Sequence, residues 1–164
     1  MARMQIKGVE EYALKLSRLG DNVQSIGGEA IYSAADIVAN QIRSNLKGIK
    51  TVSEIENIQA YKSGKKSQLS AKQKQGLLDS LGITKLRNDE GFMNVKIGFD
   101  GYNAIKTKKY PKGQPNQLIA RVTENGSSYM DKTPFIRPAV TKTRKSAQEA
   151  MQQVIDKRAA EIMG

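Results

Sequence analysis

Five carboxylate side chains are the residues of this sequence best suited to acid–base or metal chemistry: Asp79, Asp89, Glu90, Asp100 and Glu124. Paired carboxylates can catalyse hydrolysis, and clustered carboxylates can bind divalent cations. None of the five has the spacing of a known cation-binding loop. We therefore interpret them as solvated turn residues, and the sequence predicts no metal site, no cofactor and no catalytic residue.

The chain contains no histidine and no cysteine. This excludes a disulfide, a thiolate nucleophile, the usual zinc ligands and the Ser-His and Cys-His catalytic systems. Composition leaves room for enzymes that use Asp, Glu, Lys or Tyr, but no motif supports a hydrolase of that kind. We predict a protein that is not an enzyme.

Lysines form the other group with chemical potential. The formal net charge is +11, and about half of the surplus lies between residues 51 and 115. Gly64-Lys65-Lys66-Ser67 matches the end of a phosphate-binding loop, but the first glycine of that motif would fall at Gln59 and no apolar strand precedes it, so we predict no nucleotide site. The lysines form two groups: Lys62, Lys65, Lys66, Lys72 and Lys74, then Lys106, Lys108, Lys109 and Lys112.

Only Tyr61 and Tyr110 are interleaved with these lysines, and no nucleic-acid-binding fold is recognisable. The charge favours contact with an acidic protein surface or with passing DNA. Direct DNA binding as the main function is an alternative from another class.

Two helices are predicted to precede the lysines. Apolar residues at helical spacing predict a short helix from Val9 to Leu19 and a longer one from about Val23 to Leu46. Asn22 is a candidate N-cap for the longer helix, and Gly48 should end it. Gly27-Gly28 predicts an irregular first turn or a close approach of another backbone.

Residues 50–75 are rich in Ser, Gln, Lys and Gly, and we predict a long exposed loop or flexible arm there. A helical turn is expected from Ser70 to Gln75. The ranges Leu77–Arg87 and Phe92–Phe99 predict an antiparallel hairpin with a tight turn at residues 88–91. In the second strand Met93, Val95, Ile97 and Phe99 share one face.

The remaining elements are a loop and a last helix. Pro111 and Pro115 predict a second basic loop from Lys106 to Gln117. Leu118–Glu124 is a short strand or helix, Thr133–Pro138 is extended, and a final helix is expected from Ala139 to Met163. The fold class is α+β: long helices packed on a small antiparallel sheet, with extended basic loops, in a single domain over residues 1–164.

The core should be modest. The chain has 164 residues, of which 38% are hydrophobic and 5% aromatic, without tryptophan. A chain with little to bury often gains stability by association. No run approaches the roughly 18 apolar residues of a membrane span, and residues 1–7 lack a signal-peptide pattern, so we expect a soluble cytoplasmic protein with no membrane partner.

Phe135 has two compatible interpretations. In the first, which we favour, Phe135 and Ile136 fasten the start of the last helix to the sheet while Pro138 occupies its first turn. In the second, Phe135 lies at a subunit interface and Arg137 reaches a carboxylate of a neighbouring subunit.

Four segments follow one another in a recognisable order: Ala34-Ala35-Asp36-Ile37-Val38, Gly76-Leu77-Leu78-Asp79-Ser80-Leu81, Val95-Lys96-Ile97-Gly98-Phe99 and Thr133-Pro134-Phe135-Ile136-Arg137-Pro138-Ala139. Ala120, Glu124 and Gly126 add a shared approach to the last segment. From about residue 5 to 160 the chain thus resembles the phage neck and tail-completion (head–tail joining) proteins of the siphophage tail-component type, which also occur in defective prophages and tail-like bacteriocins. It departs from them at Gln75-Gly76, where Thr-Gly is usual, and in a longer 50–75 segment.

The resemblance implies a mixed α/β protomer that assembles, without catalysis, into a homo-oligomeric ring of six or twelve subunits. It would join connector to tail tube in a virion or tail-like particle assembled in the bacterial host cytoplasm. Its partners would be connector, terminator or tail-tube rings, with contact to DNA in the channel. A tail terminator or collar subunit is the nearest alternative. The residues predicted to contact a neighbouring subunit are Tyr61, Lys62, Lys65, Lys66, Phe135 and Arg137.

Overall fold

The computed structural model describes residues 9–164. The predictions about residues 1–7, and the beginning of the resemblance near residue 5, lie outside the described residues. Across the described range six helices accompany four short strands, which confirms the α+β class. The elements are α1 (Val9–Asp21), α2 (Val23–Lys47), α3 (Glu54–Lys62), α4 (Ala71–Ser80), β1 (Leu81–Ile83), β2 (Arg87–Asp89), β3 (Phe92–Asn94), β4 (Ile97–Phe99), α5 (Asn116–Asn125) and α6 (Ile136–Met163).

The two longest helices, α2 and α6, pack against each other and form the frame of the molecule. Their buried faces carry mostly small residues, so the helix axes can approach closely. At the far end of this pair Arg158 forms an ion pair with Glu29, with nitrogen and oxygen 3.2 Å apart. The small buried residues are Ala30, Ala34, Ala35 and Ala39 on α2, and Ala139, Thr143 and Ala147 on α6.

Both long helices were predicted, and α6 begins three residues earlier than expected, at Ile136. Pro138 fits there because the first backbone N–H groups of a helix have no partner within the helix. Asn22 precedes α2, but its side chain donates to the carbonyl of Arg18 instead of capping α2. A Cβ at Gly27 would collide with Met93, and one at Gly28 would lie 2.9 Å from Leu86. A close approach is thus present at this glycine pair, but side chains make it and not the backbone that we predicted, and α2 continues through the pair without interruption.

The main core lies where α2, α4, α5 and the start of α6 meet the β1–β4 pair. Phe135 is its largest fully buried side chain, and its ring contacts that of Phe99 edge-on, with centroids 5.9 Å apart. This confirms that Phe135 fastens the last helix to the sheet. The buried cluster consists of Ile42, Leu46, Leu69, Leu77, Leu81, Ile119, Ala120, Met130, Phe135 and Ala139.

The predicted hairpin is present as two short ladders. β1 pairs antiparallel with β4 (Leu81 opposite Phe99), and β2 pairs antiparallel with β3. Glu90 and Gly91 connect β2 to β3 with positive φ angles of 53° and 89°, as a two-residue hairpin turn requires. The predicted start of the first strand is wrong, because residues 77–80 form the last turn of α4.

The prediction of a structureless arm over residues 50–75 is also wrong. Ser53 and Glu56 form a reciprocal capping box that starts α3, and Ser70 with Gln73 does the same for α4. Leu69 and Ser70 are buried between them. The helical turn expected from Ser70 is confirmed and extends to Ser80.

Residues 100–115 contain no helix or regular strand, which confirms the second basic loop predicted from Lys106 to Gln117 except at residues 116–117, where α5 begins. Asn103 is buried within this range, and its side-chain oxygen accepts from the backbone N–H groups of Ile105 and Gln114. The ambiguous stretch after it is the helix α5. Its buried Thr123 donates to the carbonyl of Ile119.

Candidate assembly surface

Helix α3 presents an apolar stripe to solvent. Ile55, Ile58 and Tyr61 stand three residues apart, so they lie on one face of the helix. They are 68%, 54% and 78% exposed. Single exposed apolar residues are common, but three aligned on one short helix form a patch of the kind found at binding surfaces.

The stripe belongs to a helix that buries none of its side chains. Asn57 connects α3 to the body through two hydrogen bonds with the backbone of Gln68, of 3.0 and 2.9 Å. A helix of nine residues is marginal in water when no tertiary packing supports it. Its own chain thus leaves α3 with little apolar support.

Charges at the two ends of α3 have opposite signs. Glu54 and Glu56 lie in the first turn, whereas Lys62 ends the helix and the exposed Lys65 and Lys66 follow it. Hydrogen bonds from the backbone and side chain of Ser53 lower the pKa of Glu56, so this end is negative at neutral pH. Four of the six residues predicted to contact a neighbour, Tyr61, Lys62, Lys65 and Lys66, are therefore brought together on one exposed surface.

The other two predicted contact residues lie at the start of α6 and differ from each other. Phe135 is only 1% exposed and belongs to the core of its own chain, so its side chain does not lie on an exposed surface, contrary to what we expected of a subunit contact. Arg137 is exposed and donates to the side-chain oxygen of Asn125 at 3.3 Å. Of these two residues, only Arg137 is exposed to a partner.

Glu124 anchors the start of α6. One carboxylate oxygen accepts from the backbone N–H groups of Phe135 and Ile136 at 2.7 and 2.8 Å, and the other accepts from that of Arg137 at 2.9 Å. These are unpaired donors at the positive end of the helix dipole. The prediction that Glu124 is a solvated turn residue is wrong, since the side chain is buried and caps the helix from another element.

Two opposing influences act on the Glu124 carboxyl. Burial alone would raise its pKa, but three backbone donors and the charge of Arg137 together hold the pKa below its ordinary value. Glu124 is therefore ionised at neutral pH and committed to holding α6. This arrangement is structural and provides no free carboxylate for acid–base chemistry.

The other four carboxylates are exposed, as predicted. Asp89 and Glu90 lie at the hairpin turn, and Asp100 follows β4. Asp79 lies on α4 and not in a turn, and accepts from the side chain of Gln75. Within residues 9–164 no group of three acidic, histidine or cysteine side chains is placed to hold a metal ion.

In the first lysine group, Lys62 to Lys74, the side chain of Lys74 holds two parts of the fold together. Its ammonium group donates to the carbonyls of Lys47 and Ile49, at 2.7 and 2.8 Å. The first carbonyl belongs to the last residue of α2 and the second lies two residues beyond it, at the helix end where a cation is favourable. The exposed members of the two lysine groups are Lys62, Lys65, Lys66, Lys72, Lys106, Lys108, Lys109 and Lys112.

A groove of about 760 Å³ lies between the β1–β4 pair and α5. Its walls are mainly apolar, and they end in charged residues. The apolar lining consists of Ile42, Ile83, Ile97, Phe99, Ala120 and Ile136. At the Asp100 end a more polar cleft adjoins it, to which Asp79 also contributes.

Sequence reasoning missed Ile55, Ile58 and the groove. The signal for α3 was present, because Ser53 and Glu56 have capping-box spacing and the apolar residues follow at helical spacing. The groove had no such signal, since residues from six separate elements form its walls.

Comparison of the chain with models of protein families, with curated proteins and with solved structures finds no match. In the part of the chain that the structure describes, no helix combines the length and apolar character needed to cross a membrane.

Proposed function

We propose that this protein is a non-catalytic ring subunit of the neck of a phage or phage-tail-like particle, where it joins a connector or collar to the tail tube. The observation that carries the proposal is helix α3, whose apolar stripe is exposed while none of its side chains is buried. Contact with a second subunit would bury that stripe and stabilise the helix.

The segments that carry the resemblance occupy positions on which the fold depends. Gly76 packs so closely that a Cβ there would lie 2.6 Å from the side-chain oxygen of Asn116. Phe99 and Phe135 form the aromatic contact of the core. Glu124 and Gly126, from the approach to the proline segment, cap α6 and end α5. This supports reading the scattered motifs as parts of one packed unit.

The exposed lysines support partners with acidic surfaces. In the proposed ring, these lysines would face adjoining connector, terminator or tail-tube rings, or DNA within the channel. A terminator or collar subunit that caps the tail is the nearest variant of this proposal.

Light scattering of the purified protein at several concentrations, followed by negative-stain imaging, tests the proposal. We expect particles of six or twelve times the subunit mass that appear as rings. A chain that stays monomeric throughout contradicts the proposal and favours the nucleic-acid-binding alternative.

Ile58→Asp is the variant that tests the role of the stripe, because it places a charge in the middle of the stripe without touching the core. We expect it to fold, as judged by circular dichroism, and to remain monomeric. Phe92→Asp is the control, since Phe92 is 78% exposed at the hairpin turn, as exposed as Tyr61 on the stripe. That variant should assemble normally.

A further inference from the structure

We propose that α3 of one subunit docks into the groove between the β1–β4 pair and α5 of the next copy of this chain. The inference rests on the proposed ring function and adds the contact that closes the ring. Both halves of such a contact are present on one chain: an apolar helix face without a partner and a mainly apolar groove. A helix placed in an apolar groove is a common mode of protein recognition.

The groove has a direction that its strands define. Asp100 follows β4 at one end, where its backbone N–H donates to Ser80, and Asp79 lies in the adjoining cleft. Lys96 precedes β4 at the other end, where its carbonyl accepts from Thr84. Arg121 and the ionised Glu124 also line the groove, both on α5, and the Glu124 carboxylate is already bound to the start of α6. Along β4 the groove thus runs from the acidic Asp100 to the basic Lys96.

Helix α3 has the complementary polarity. Glu54 and Glu56 lie at its start, and Lys62, Lys65 and Lys66 lie at and beyond its end. The lysines therefore belong at the Asp79–Asp100 end of the groove, and the glutamates at the Lys96 end. Glu54 pairs with the exposed Lys72 of its own chain at 3.1 Å, a surface contact weak enough to be exchanged for another.

The lengths agree as well. Glu54 and Lys62 are separated along the helix axis by about 12 Å at the usual rise of an α-helix. Lys96 and Asp100 are separated by about 13 Å at the usual rise of a strand. The charges at both ends can therefore be matched at the same time, while the stripe between them covers the apolar walls.

Two glycines leave room for α3 of the neighbouring subunit to approach the β1–β4 pair. Gly82 and Gly98 are paired across β1 and β4, and both line the groove. A Cβ at Gly98 would have no neighbouring atom within 4 Å, and one at Gly82 would only just reach the carbonyl of Ser80. The glycine pair is thus not required by packing within the chain, but it keeps the groove wide enough for a helix.

The contact uses two different surfaces, so it is head-to-tail. Contacts of this kind form closed rings when the rotation between subunits closes, whereas two copies of one surface in contact would form only a dimer. This distinction makes the interface testable by disulfide trapping, since the chain has no cysteine of its own.

The experiment compares three full-length variants under mild oxidation: Ile58→Cys, Gly98→Cys and the double variant. We expect the double variant to form a ladder of covalent oligomers that ends at the ring size. A mixture of the two single variants should form disulfide-linked heterodimers and nothing larger. A double variant with cysteines at positions 98 and 140 is the control and should form no ladder, because Val140 lies on α6, outside the contact.

The other outcomes contradict the inference in distinguishable ways. If Ile58→Cys alone forms dimers, the stripes of two subunits face each other, and the groove is not the occupied site. If the double variant assembles into rings without forming the ladder, the docking is wrong while the ring function stands. If the unmodified protein forms no oligomer, both proposals fail.

Charge exchange gives an independent readout. Lys65→Glu with Lys66→Glu should raise the subunit concentration needed for assembly by about fivefold or more, since exposed ion pairs are individually weak. Asp79→Lys with Asp100→Lys should do the same. Combining all four changes should restore assembly towards that of the unmodified chain. If the combined variant assembled as poorly as the variants with two changes, or more poorly than either, these charges would not face each other.

Discussion

Glu124 is the residue on which the placement of α6 most depends. It lies at the end of α5, yet its carboxylate accepts the first backbone N–H groups of α6. Hydrogen bonds to a charged group contribute more than neutral ones. The carboxylate thus replaces the local N-cap that Phe135 cannot provide.

Glu124→Gln should lower the free energy of unfolding by about 1–3 kcal/mol at pH 7, because the amide turns an NH₂ group towards the donors. Urea denaturation followed by circular dichroism measures this. Glu149→Gln, at an exposed position of α6, is the control and should change little. Equal stability of Glu124→Gln and the unmodified chain would contradict the capping role.

Comparison of the unmodified chain with Glu124→Gln also predicts how stability depends on pH. The pKa of Glu124 is lowered in the folded chain, so its stabilisation is complete above the ordinary glutamate pKa of about 4.3 and is lost as pH falls below it. The stability gap to Glu124→Gln should therefore be constant from pH 7 to 5 and then narrow towards pH 3. Denaturation at several pH values tests this, and a gap that widens on acidification would contradict it.

Phe135→Ala should lower the free energy of unfolding by about 3–5 kcal/mol, because it leaves a cavity against Phe99. In a domain of this size that loss can prevent folding. Thermal unfolding of Phe135→Leu, which fills more of the space, should show an intermediate loss. If Phe135→Ala folded with unchanged stability but lost assembly, Phe135 would be an interface residue after all.

At the scale of the elements, two capping boxes with the same chemistry support helices in different environments. Ser70 starts α4, which carries the buried Leu77, while Ser53 starts α3, which buries nothing. Ser70→Ala should therefore lower the global stability by about 1 kcal/mol. Ser53→Ala should instead destabilise α3 locally.

Hydrogen exchange in the monomer separates these effects. In Ser53→Ala, amide protection should fall in α3 while the global unfolding midpoint stays unchanged. An equal shift of the midpoint in both variants would show that α3 unfolds together with the core, and would weaken the view that it depends on a partner.

The long elements were predictable because their patterns are long. In α2 and α6 the apolar period extends over many turns, and Met93, Val95, Ile97 and Phe99 alternate clearly. The run around Leu77 and Leu78 was assigned to a strand because short apolar segments do not distinguish strand from helix. Helix α3 was missed because its polar composition outweighed a three-residue stripe.

The candidate surface was predictable only in part. Tyr61 and the following lysines were visible as an exposed basic segment, and Arg137 as a charge beside a proline. The groove depends on tertiary neighbours from β1, β4, α2, α4, α5 and α6. Glu124 was misassigned because its partners are eleven to thirteen residues away, beyond any local capping pattern.

At the scale of the whole molecule, the chain combines a formal net charge of +11 with a small core and an exposed apolar stripe. These features respond differently to salt. Screening weakens contacts between lysines and phosphates or carboxylates, whereas burial of apolar surface is not weakened by it. Salt therefore separates an apolar subunit interface from attraction to nucleic acid.

A salt titration in which both DNA binding and oligomer mass are measured uses this difference in salt dependence. Between about 50 and 200 mM salt, retention of non-specific duplex DNA should fall by orders of magnitude as counterions compete for the phosphates. Over the same range, the oligomer mass from light scattering should stay nearly constant. Ile58→Asp should lose the oligomer yet bind DNA through its lysines. If oligomer and DNA binding were instead lost together as salt rises, and Ile58→Asp matched the unmodified chain in both, the lysines and not the stripe would drive assembly. The nucleic-acid-binding alternative would then explain the protein better than a neck ring.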